Sequence, residues 1–324
     1  MNPPVNPLAS SATSPNAFAA TPALAANPAL VANTLTPQLI DQVVSMALYE
    51  DAPWGDITSQ TLIPADATAT ADLVAREPGV FSGGAVFAAA FGLIDPSVTV
   101  ELRVDDGESF EAGHVLASVA GPARSVLQSE RVALNFVQRL SGVATLTAQF
   151  VALTAGTRAR IVDTRKTTPG LRAFERHAVR SGGGHNHRFS LSDAVMAKDN
   201  HLAVITADGR RSLTDALLDV RAALSHTTHL EAEVDRLDQI EPVLAARVDT
   251  IMLDNFSLAD LRTGVAQVAG RALVEASGSV NLDTVRAIAE TGVDIISVGA
   301  LTHSVRSLDL GLDVTLTTAR TTTP

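Results

Sequence analysis

The sequence contains no cysteine. That removes disulfides, zinc–thiolate centres and thiol nucleophiles together, and it fits a reducing, cytoplasmic setting. Aromatic residues make up only 4% of the chain, too few for a base-stacking surface that holds single-stranded nucleic acid. The formal net charge is -11 and the pI about 5.1, which excludes sequence-independent binding to phosphate backbones; nucleic acid is not an expected partner. No apolar run approaches ~18 residues, so no membrane-spanning helix is expected. Residues 1–34 carry no charged side chain, and the first basic residue is Arg76. A signal or transit peptide is therefore not expected, and this Ala-, Pro-, Asn-, Ser- and Thr-rich stretch reads as a disordered tail. Lysine is the most informative scarcity: of 24 basic residues only Lys166 and Lys198 are lysines.

Apolar residues account for 46% of 324 residues, enough for a large core in two domains or one barrel with an appendage. From Leu35 the stretch "TPQLIDQVVSMALYED" predicts a helix capped by Thr36 with Pro37 in its first turn; "WGDITSQTLIP" breaks it. Residues 68–120 alternate in short strand-like runs ("TATADLVA", "VTVELRV", "HVLASVA") separated by Gly-containing turns, a compact mixed α/β unit. Residues 125–154 predict one long helix, or two broken near Ser141-Gly142. After Gly156, apolar strands recur, each ending in a polar cluster: "ARIVDTRK", "DAVMAKDNH", "LEAEVD", "VDTIMLDN", "ALVEASGS" and "DIISVGA". Amphipathic helices such as "SLTDALLDVRAALS" lie between several of them. This rhythm predicts a parallel sheet, and six units predict a closed α/β barrel with its chemistry at the strand C-termini.

Between Arg158 and His201 nine Lys or Arg stand against four acids, a local excess of +5 in an acidic protein. A solvated basic face is one reading. An anion pocket is the other, favoured because Arg165, Lys166 and Lys198 fall at strand ends facing one mouth. Arginine grips carboxylates with a planar fork, whereas lysine is a compact charge suited to crowded phosphate oxygens. The clusters "EASGSV" and "SVGALTH" follow the last two strands, where barrels build phosphate sites from backbone N–H groups; Gly278 and Gly299 let the backbone approach. Glu233 and Asp254 end the middle strands and are candidates for ribose hydroxyls or Mg²⁺ beside a polyphosphate, or for charge balance alone. In "SGGGHNHR", His185 and His187 are spaced like metal ligands, but Arg180 and Arg188 oppose a cation, so His187 and Arg188 read as anion contacts. Arg131, on a helix before the barrel, reads from its surroundings as an ion-pair partner of Glu130. The expected ligands are a phosphorylated sugar or nucleotide and a second anion, a carboxylate.

With "EDAPWGDIT", "SERVALNFVQRLSGVAT", "DTRKTTPGLR", "AVRSGGGHNHR", "KDNH", "LDN", "EASG" and "SVGALTHS" in order from about Leu35 to Asp313, the sequence resembles quinolinate phosphoribosyltransferases. The resemblance implies an N-terminal α/β sandwich domain (35–144), an incomplete TIM-like α/β barrel (145–304) and a C-terminal segment (305–324) packing back on the first domain. It implies a homodimer or multiple of dimers, with Arg131 donated to the neighbouring subunit's site. Quinolinate would be met by Arg165, His187, Arg188 and Lys198 with the donated Arg131. Lys166, Lys198 and His303 would meet pyrophosphate and phosphate charge, and Glu233 and Asp254 the ribose and Mg²⁺. Ser277, Gly278, Ser279, Gly299 and Ala300 would line the 5'-phosphate loops. Lys166, Lys198, Glu233 and Asp254 are the expected catalytic set. The implied reaction joins quinolinate to phosphoribosyl pyrophosphate, giving nicotinate mononucleotide, pyrophosphate and CO₂. Three departures stand out: Arg176-His177 where the family usually has Lys-Tyr, Ser279 where a second Gly is common, and Ala197 where a bulkier aliphatic is usual. Rival readings are a molybdate-transport-associated relative of the same fold, a barrel lyase forming a Schiff base on Lys166 or Lys198, and a non-catalytic phosphosugar-binding module.

Overall fold

A computed structural model of the chain describes residues 35–318 except 208 and 210; the expected tail at 1–34 and the last residues of the C-terminal segment lie outside these. Helix α1 (Pro37–Asp51) opens as its sequence predicts: the Thr36 side chain accepts from the Leu39 N–H at 3.3 Å, Pro37 follows, and Ile40, Val44 and Leu48 form its buried stripe. "WGDIT" does more than end that helix. Asp56 Oδ1 accepts from the N–H groups of Thr58 (2.9 Å) and Ser59 (3.1 Å), starting a short helix, α2 (Ile57–Leu62).

Strand β1 (Thr68–Ala75) buries Ala69, Ala71, Leu73 and Ala75 on one face, the period-two pattern of a half-covered sheet. After β2 (Gly79–Val80), α3 (Gly84–Gly92), β3 (Thr99–Leu102) and β4 (Ser109–Phe110), strand β5 (Val115–Pro122) pairs antiparallel with both β1 and β3. The chain then enters α4 (Ala123–Leu153), a single unbroken helix of 31 residues. Of the two readings the sequence allowed, the single long helix holds, with no break at Ser141-Gly142. Gly142 serves close packing instead: any Cβ there would run into the backbone carbonyl of Arg306.

The remaining elements alternate: β6 (Arg160–Val162), α5 (Arg172–Ser181), β7 (Val195–Ala197), α6 (Asp199–Thr206), α7 (Leu213–Ala223), β8 (Leu230–Val234), α8 (Ile240–Ala245), β9 (Thr250–Asp254), α9 (Leu258–Val268), β10 (Leu273–Ser277), α10 (Val285–Ala289), β11 (Ile295–Ser297) and α11 (Ala300–His303). The six strands form one parallel sheet in the order β6-β11-β10-β9-β8-β7. All six apolar runs singled out in the sequence are strands. The sheet does not close between β6 and β7, so the barrel is incomplete, not the closed one that rhythm alone predicts. The reason lies in residues 182–194: "GGGHNHRFSLSDA" has three glycines and no alternating apolar pattern, so it supplies no strand to bridge the gap. Finally β12 (Leu310–Thr317) returns to the first sheet and pairs antiparallel with β1 along its full length, Thr68 opposite Thr317 and Ala75 opposite Leu310. No helix among the described residues is long and apolar enough to cross a membrane.

Candidate active site

The C-terminal ends of the six parallel strands surround a cavity of about 690 Å³. One wall is cationic: Arg165 and Lys166 follow β6, His187 and Arg188 come from the loop after α5, and Lys198 follows β7. Facing them are Glu233 at the end of β8, Asp254 ending β9, Ser277, Gly278 and Ser279 after β10, and Gly299, Ala300 and His303 after β11. Every site residue expected from the sequence lines this one cavity except Arg131, which is exposed on α4 and does not line it. The ion pair expected between Arg131 and Glu130 is absent among the described residues.

The cationic wall is held by a buried carboxylate. Asp163 Oδ1 accepts from the backbone N–H of His187 at 2.7 Å, and its Oδ2 from the Asn186 side chain at 2.6 Å. The guanidinium of Arg176 lies 3.4 Å from Oδ1 and donates to the His187 carbonyl at 2.6 Å. Burial pushes the Asp163 carboxyl up, and Arg176 and the hydrogen bonds from His187 and Asn186 act against it. Arg176 also sits over the Phe189 ring, 5.3 Å from its centre. The Arg176-His177 departure from the family pattern therefore has structural content: Arg176 braces the site loop, and His177 Nε2 meets Asp106 Oδ2 at 2.6 Å, tying α5 to the turn before β4.

Arg188 donates from Nη1 to the Ala194 carbonyl at 2.7 Å. Its guanidinium has no carboxylate within ion-pair range among the described residues, and burial followed by the nearby Arg165 charge lowers its pKa. The buried Arg165 Nε has no acceptor among the described residues. Two crowded guanidiniums with unspent donors are a site waiting for anions. Lys198 pairs with Glu233, while its backbone N–H donates to His201 Nδ1 at 3.0 Å; "KDNH" is thus the capped start of α6.

His185 and His187 do not converge on a common point. His185 Nδ1 lies 3.1 Å from Arg180, and burial together with Arg180 depresses its pKa. His187 Nδ1 accepts from the Arg188 N–H at 2.7 Å, and its Nε2 lies 3.2 Å from Glu231 and 3.6 Å from Glu275. Burial opposes charge on this ring, but Glu231, Glu275 and Asp163 outweigh it and the net direction is upward.

Across the cavity the backbone is shaped for close approach. Gly278 has φ +102 and a Cβ there would collide with the Asn255 side chain. Ser279 adopts φ +49, the left-handed region that costs an L-residue roughly 1–2 kcal/mol; the chain keeps the conformation that glycine supplies more readily. Gly299 leaves room for His303 and Lys166. Thr302 Oγ1 donates to the Lys166 carbonyl at 2.7 Å, and Arg139 from α4 joins Glu175 (2.7 Å) to the Thr302 carbonyl (2.6 Å). The loop carrying Lys166 and the Gly299–His303 turn are thereby braced against one long helix.

Sequence reasoning missed Glu231 and Glu275. The signal was available: Glu231 and Glu233 are two apart on β8, as are Glu275 and Ser277 on β10, and residues i and i+2 share a sheet face. It also missed Asn255, Thr164 and Ser297, and the apolar surface given by Met196 and Met252.

A barrel that gathers its cations on one wall and glycine-containing loops on the other defines an enzyme for two small, multiply anionic substrates, one of them phosphorylated. Residues 56–141 match the quinolinate phosphoribosyl transferase N-terminal domain and residues 143–313 the C-terminal domain of the same family. The chain belongs to the quinolinate phosphoribosyl transferase family. It is 44% identical over 280 residues to the nicotinate-nucleotide pyrophosphorylase (carboxylating) of Mycobacterium leprae, covering 84% of this chain and 95% of that one. The crystal structure of NadC from Streptococcus pyogenes superposes with a TM-score of 0.84 at 41% identity, covering 89% of this chain and all of that one (100%). Nicotinate-nucleotide pyrophosphorylase from Francisella tularensis gives a TM-score of 0.81 at 35% identity, over 87% of this chain and 98% of that one.

Proposed function

We propose that this protein transfers the phosphoribosyl group of phosphoribosyl pyrophosphate to quinolinate with loss of CO₂, producing nicotinate mononucleotide and pyrophosphate for NAD biosynthesis. One observation carries the reading: Arg165, Lys166, Arg188 and Lys198 share one cavity with the Ser277–Ser279 and Gly299–His303 loops. In this reading Arg165, Arg188 and Lys198 hold the two carboxylates of quinolinate; His187, which the sequence suggested as a further contact, has Nδ1 taken by the Arg188 N–H and Nε2 facing Glu231 and Glu275, and it orients that wall instead. Ser277, Gly278, Ser279, Gly299 and Ala300 receive the 5'-phosphate. Lys166, Lys198 and His303 face the pyrophosphate.

The pyridine nitrogen attacks the anomeric carbon as pyrophosphate departs. Lys166 and Lys198 stabilise the charge growing on the leaving group, in place before the reaction begins. No base is needed to make the nitrogen nucleophilic, so fixing the ring against the sugar is the main task of the cationic wall. Once alkylated, the nitrogen is positive and accommodates the electron pair left when the adjacent carboxylate leaves as CO₂. Glu233 and Asp254 suit Mg²⁺, because they offer oxygen donors from adjacent strands facing the phosphate loops, and Mg²⁺ is held by one or two carboxylates plus substrate phosphates. Bound there with the pyrophosphate it would neutralise part of the leaving group's charge; Lys198 would exchange its contact with Glu233 for substrate. We also propose the cytoplasmic location expected from the sequence; its support is the lack of cysteine.

A turnover assay with phosphoribosyl pyrophosphate tests the assignment. Quinolinate is expected to exceed nicotinic acid by at least about 100-fold in kcat/KM, because one carboxylate fewer leaves a partly buried guanidinium unpaired. Equal use of both acids, or of neither, would sink the reading.

We further propose a homodimer in which Arg131 reaches the neighbouring copy's cavity. Its support is an apolar surface on α1, α2 and the turn between them, beside the half of α4 that bears Arg131: Met46, Tyr49, Trp54 (93% exposed), Ile57 and Leu62. A patch of this kind marks an association surface. Mixing inactive Arg131→Ala and Lys198→Ala variants should restore activity to about a quarter of wild type per site, the share of sites formed with neither lesion when subunits exchange at random. No recovery after demonstrated subunit exchange would refute the shared site.

A further inference from the structure

We propose that Glu275 is the acid that protonates the ring carbon from which CO₂ has left. The proposal rests on the reaction given above and assigns a step that reaction leaves open. When the bond between the ring carbon and its carboxylate breaks, the electron pair stays on that carbon, next to the alkylated nitrogen. A proton must then arrive from within a cavity that binding has filled. Arginine does not give one up, and lysine is a weak acid at neutral pH. Glu233 and Asp254 face the phosphate loops and Mg²⁺ in the reading above, and Asp254 Oδ2 accepts from Asn255 at 2.7 Å. His187 has both nitrogens occupied, Nδ1 by the Arg188 N–H and Nε2 by the two glutamates.

Glu275 differs from all of these. It lines the cavity yet is only 2% exposed, and its Oε1 has no hydrogen-bond partner among the described residues. Glu231, 3% exposed, also has an unpartnered Oε1, and atoms of His187, Glu231 and Glu275 lie within 4.8 Å of one another. Two carboxylates this close in a dry site do not both ionise. Burial, then the charge of Glu231, push the Glu275 carboxyl up to about 8, with His187 and Ser297 acting downward and Glu233 adding slightly upward. The other charged or titratable groups lining the cavity are Asp254 on β9, the Arg165 and Arg188 guanidiniums, Lys166, Lys198 and His303. Glu275 therefore stands protonated at neutral pH, in the wall of the cavity. The ring-carbon pair takes the proton from its O–H, forming the C–H bond of the product and leaving a carboxylate. That carboxylate recovers a proton from water when the nucleotide departs.

The same step run backwards gives a test that needs no turnover. Ionised Glu275 removes the hydrogen beside the ring nitrogen of nicotinate mononucleotide, so in deuterated water the enzyme exchanges that hydrogen, read by proton NMR. Glu275→Gln is expected to lose this exchange by at least about 100-fold while still binding the nucleotide in calorimetry. Glu231→Gln should move the exchange midpoint to lower pH, since it removes a charge that keeps the proton on Glu275. Exchange undiminished in Glu275→Gln overturns the assignment, as does wild-type turnover of quinolinate without any exchange. Failure of the wild type to use quinolinate would instead overturn the parent reading. Folding of the variant is checked by urea titration. Glu275 has a folded pKa of about 8 against an ordinary 4.5, so wild-type stability is lost as pH rises through that window. Glutamine does not titrate, and the stability gap in its favour should grow from pH 5 to pH 8. A gap that stays constant also counts against a protonated Glu275.

Discussion

Replacing Arg188 with Ala is expected to lower kcat/KM for quinolinate by about 10³ while leaving the free protein no less stable. The two halves of that expectation come from one fact. Arg188 is partly buried beside Arg165 with no ion-pair partner among the described residues, where its side chain makes a single hydrogen bond, to the Ala194 carbonyl. In the unliganded protein its charge is a cost, carried by the surrounding fold. In the complex a carboxylate answers it, and truncating one member of a desolvated, hydrogen-bonded charge pair typically costs ~2–5 kcal/mol of binding. That range converts to roughly 30- to 5,000-fold in kcat/KM. Arg188→Lys should fall between, since lysine keeps the charge and loses the fork. Nicotinic acid should be less sensitive to either change, having fewer carboxylates to lose. The measurement is a pair of steady-state profiles alongside urea titrations of each variant. If Arg188→Ala unfolds the protein, or leaves quinolinate turnover intact, Arg188 is structural and the cationic wall is misread.

The secondary structure and the location of the site were legible in the sequence because both depend on local pattern. The six parallel strands were readable from apolar runs that end in polar clusters, and the clusters fell at one end because parallel strands point the same way. The scarcity of lysine marked two cavity positions, since a chain that carries its charge on arginine keeps Lys166 and Lys198 where a compact ammonium fits. Gly142 left two readings open. A glycine inside a helical pattern reads as a break, but here it admits the Arg306 carbonyl, contributed by a segment more than 160 residues away in sequence. The gap between β6 and β7 was legible only as a segment lacking strand character, and rhythm alone filled it. Glu231 and Glu275 were hidden by their neighbours: each sits in a run of buried apolar residues, where an acid has no local partner to explain it. Their meaning appears only when β8, β10 and the His187 loop meet.

The largest effect on the fold itself is expected at Asp163. Its carboxylate is wholly buried and answers Arg176, Asn186 and the His187 backbone at once. Asp163→Ala leaves the buried Arg176 guanidinium without its counter-charge and frees two further donors, a change expected to cost about 3–5 kcal/mol. Urea titration should show it as a lower midpoint with an unchanged slope. Activity should fall as well, because the Asp163 hydrogen bonds set where His187 and Arg188 stand. Asp163→Asn separates the two consequences. The amide keeps the shape and one acceptor but presents an N–H to groups that are themselves donors, so the pairing with Arg176 is lost along with part of the loop's anchorage. A double replacement, Asp163→Asn with Arg176→Met, removes both charges and offers the ring of Phe189 an apolar neighbour. It should recover much of the stability, since a buried pair can be exchanged for apolar groups at little cost. It should not recover activity, because the anchor on the His187 backbone is not rebuilt. Were the double variant as active as wild type, the Asp163 network would be a packing device only, and the position of the cationic wall would have to be set elsewhere.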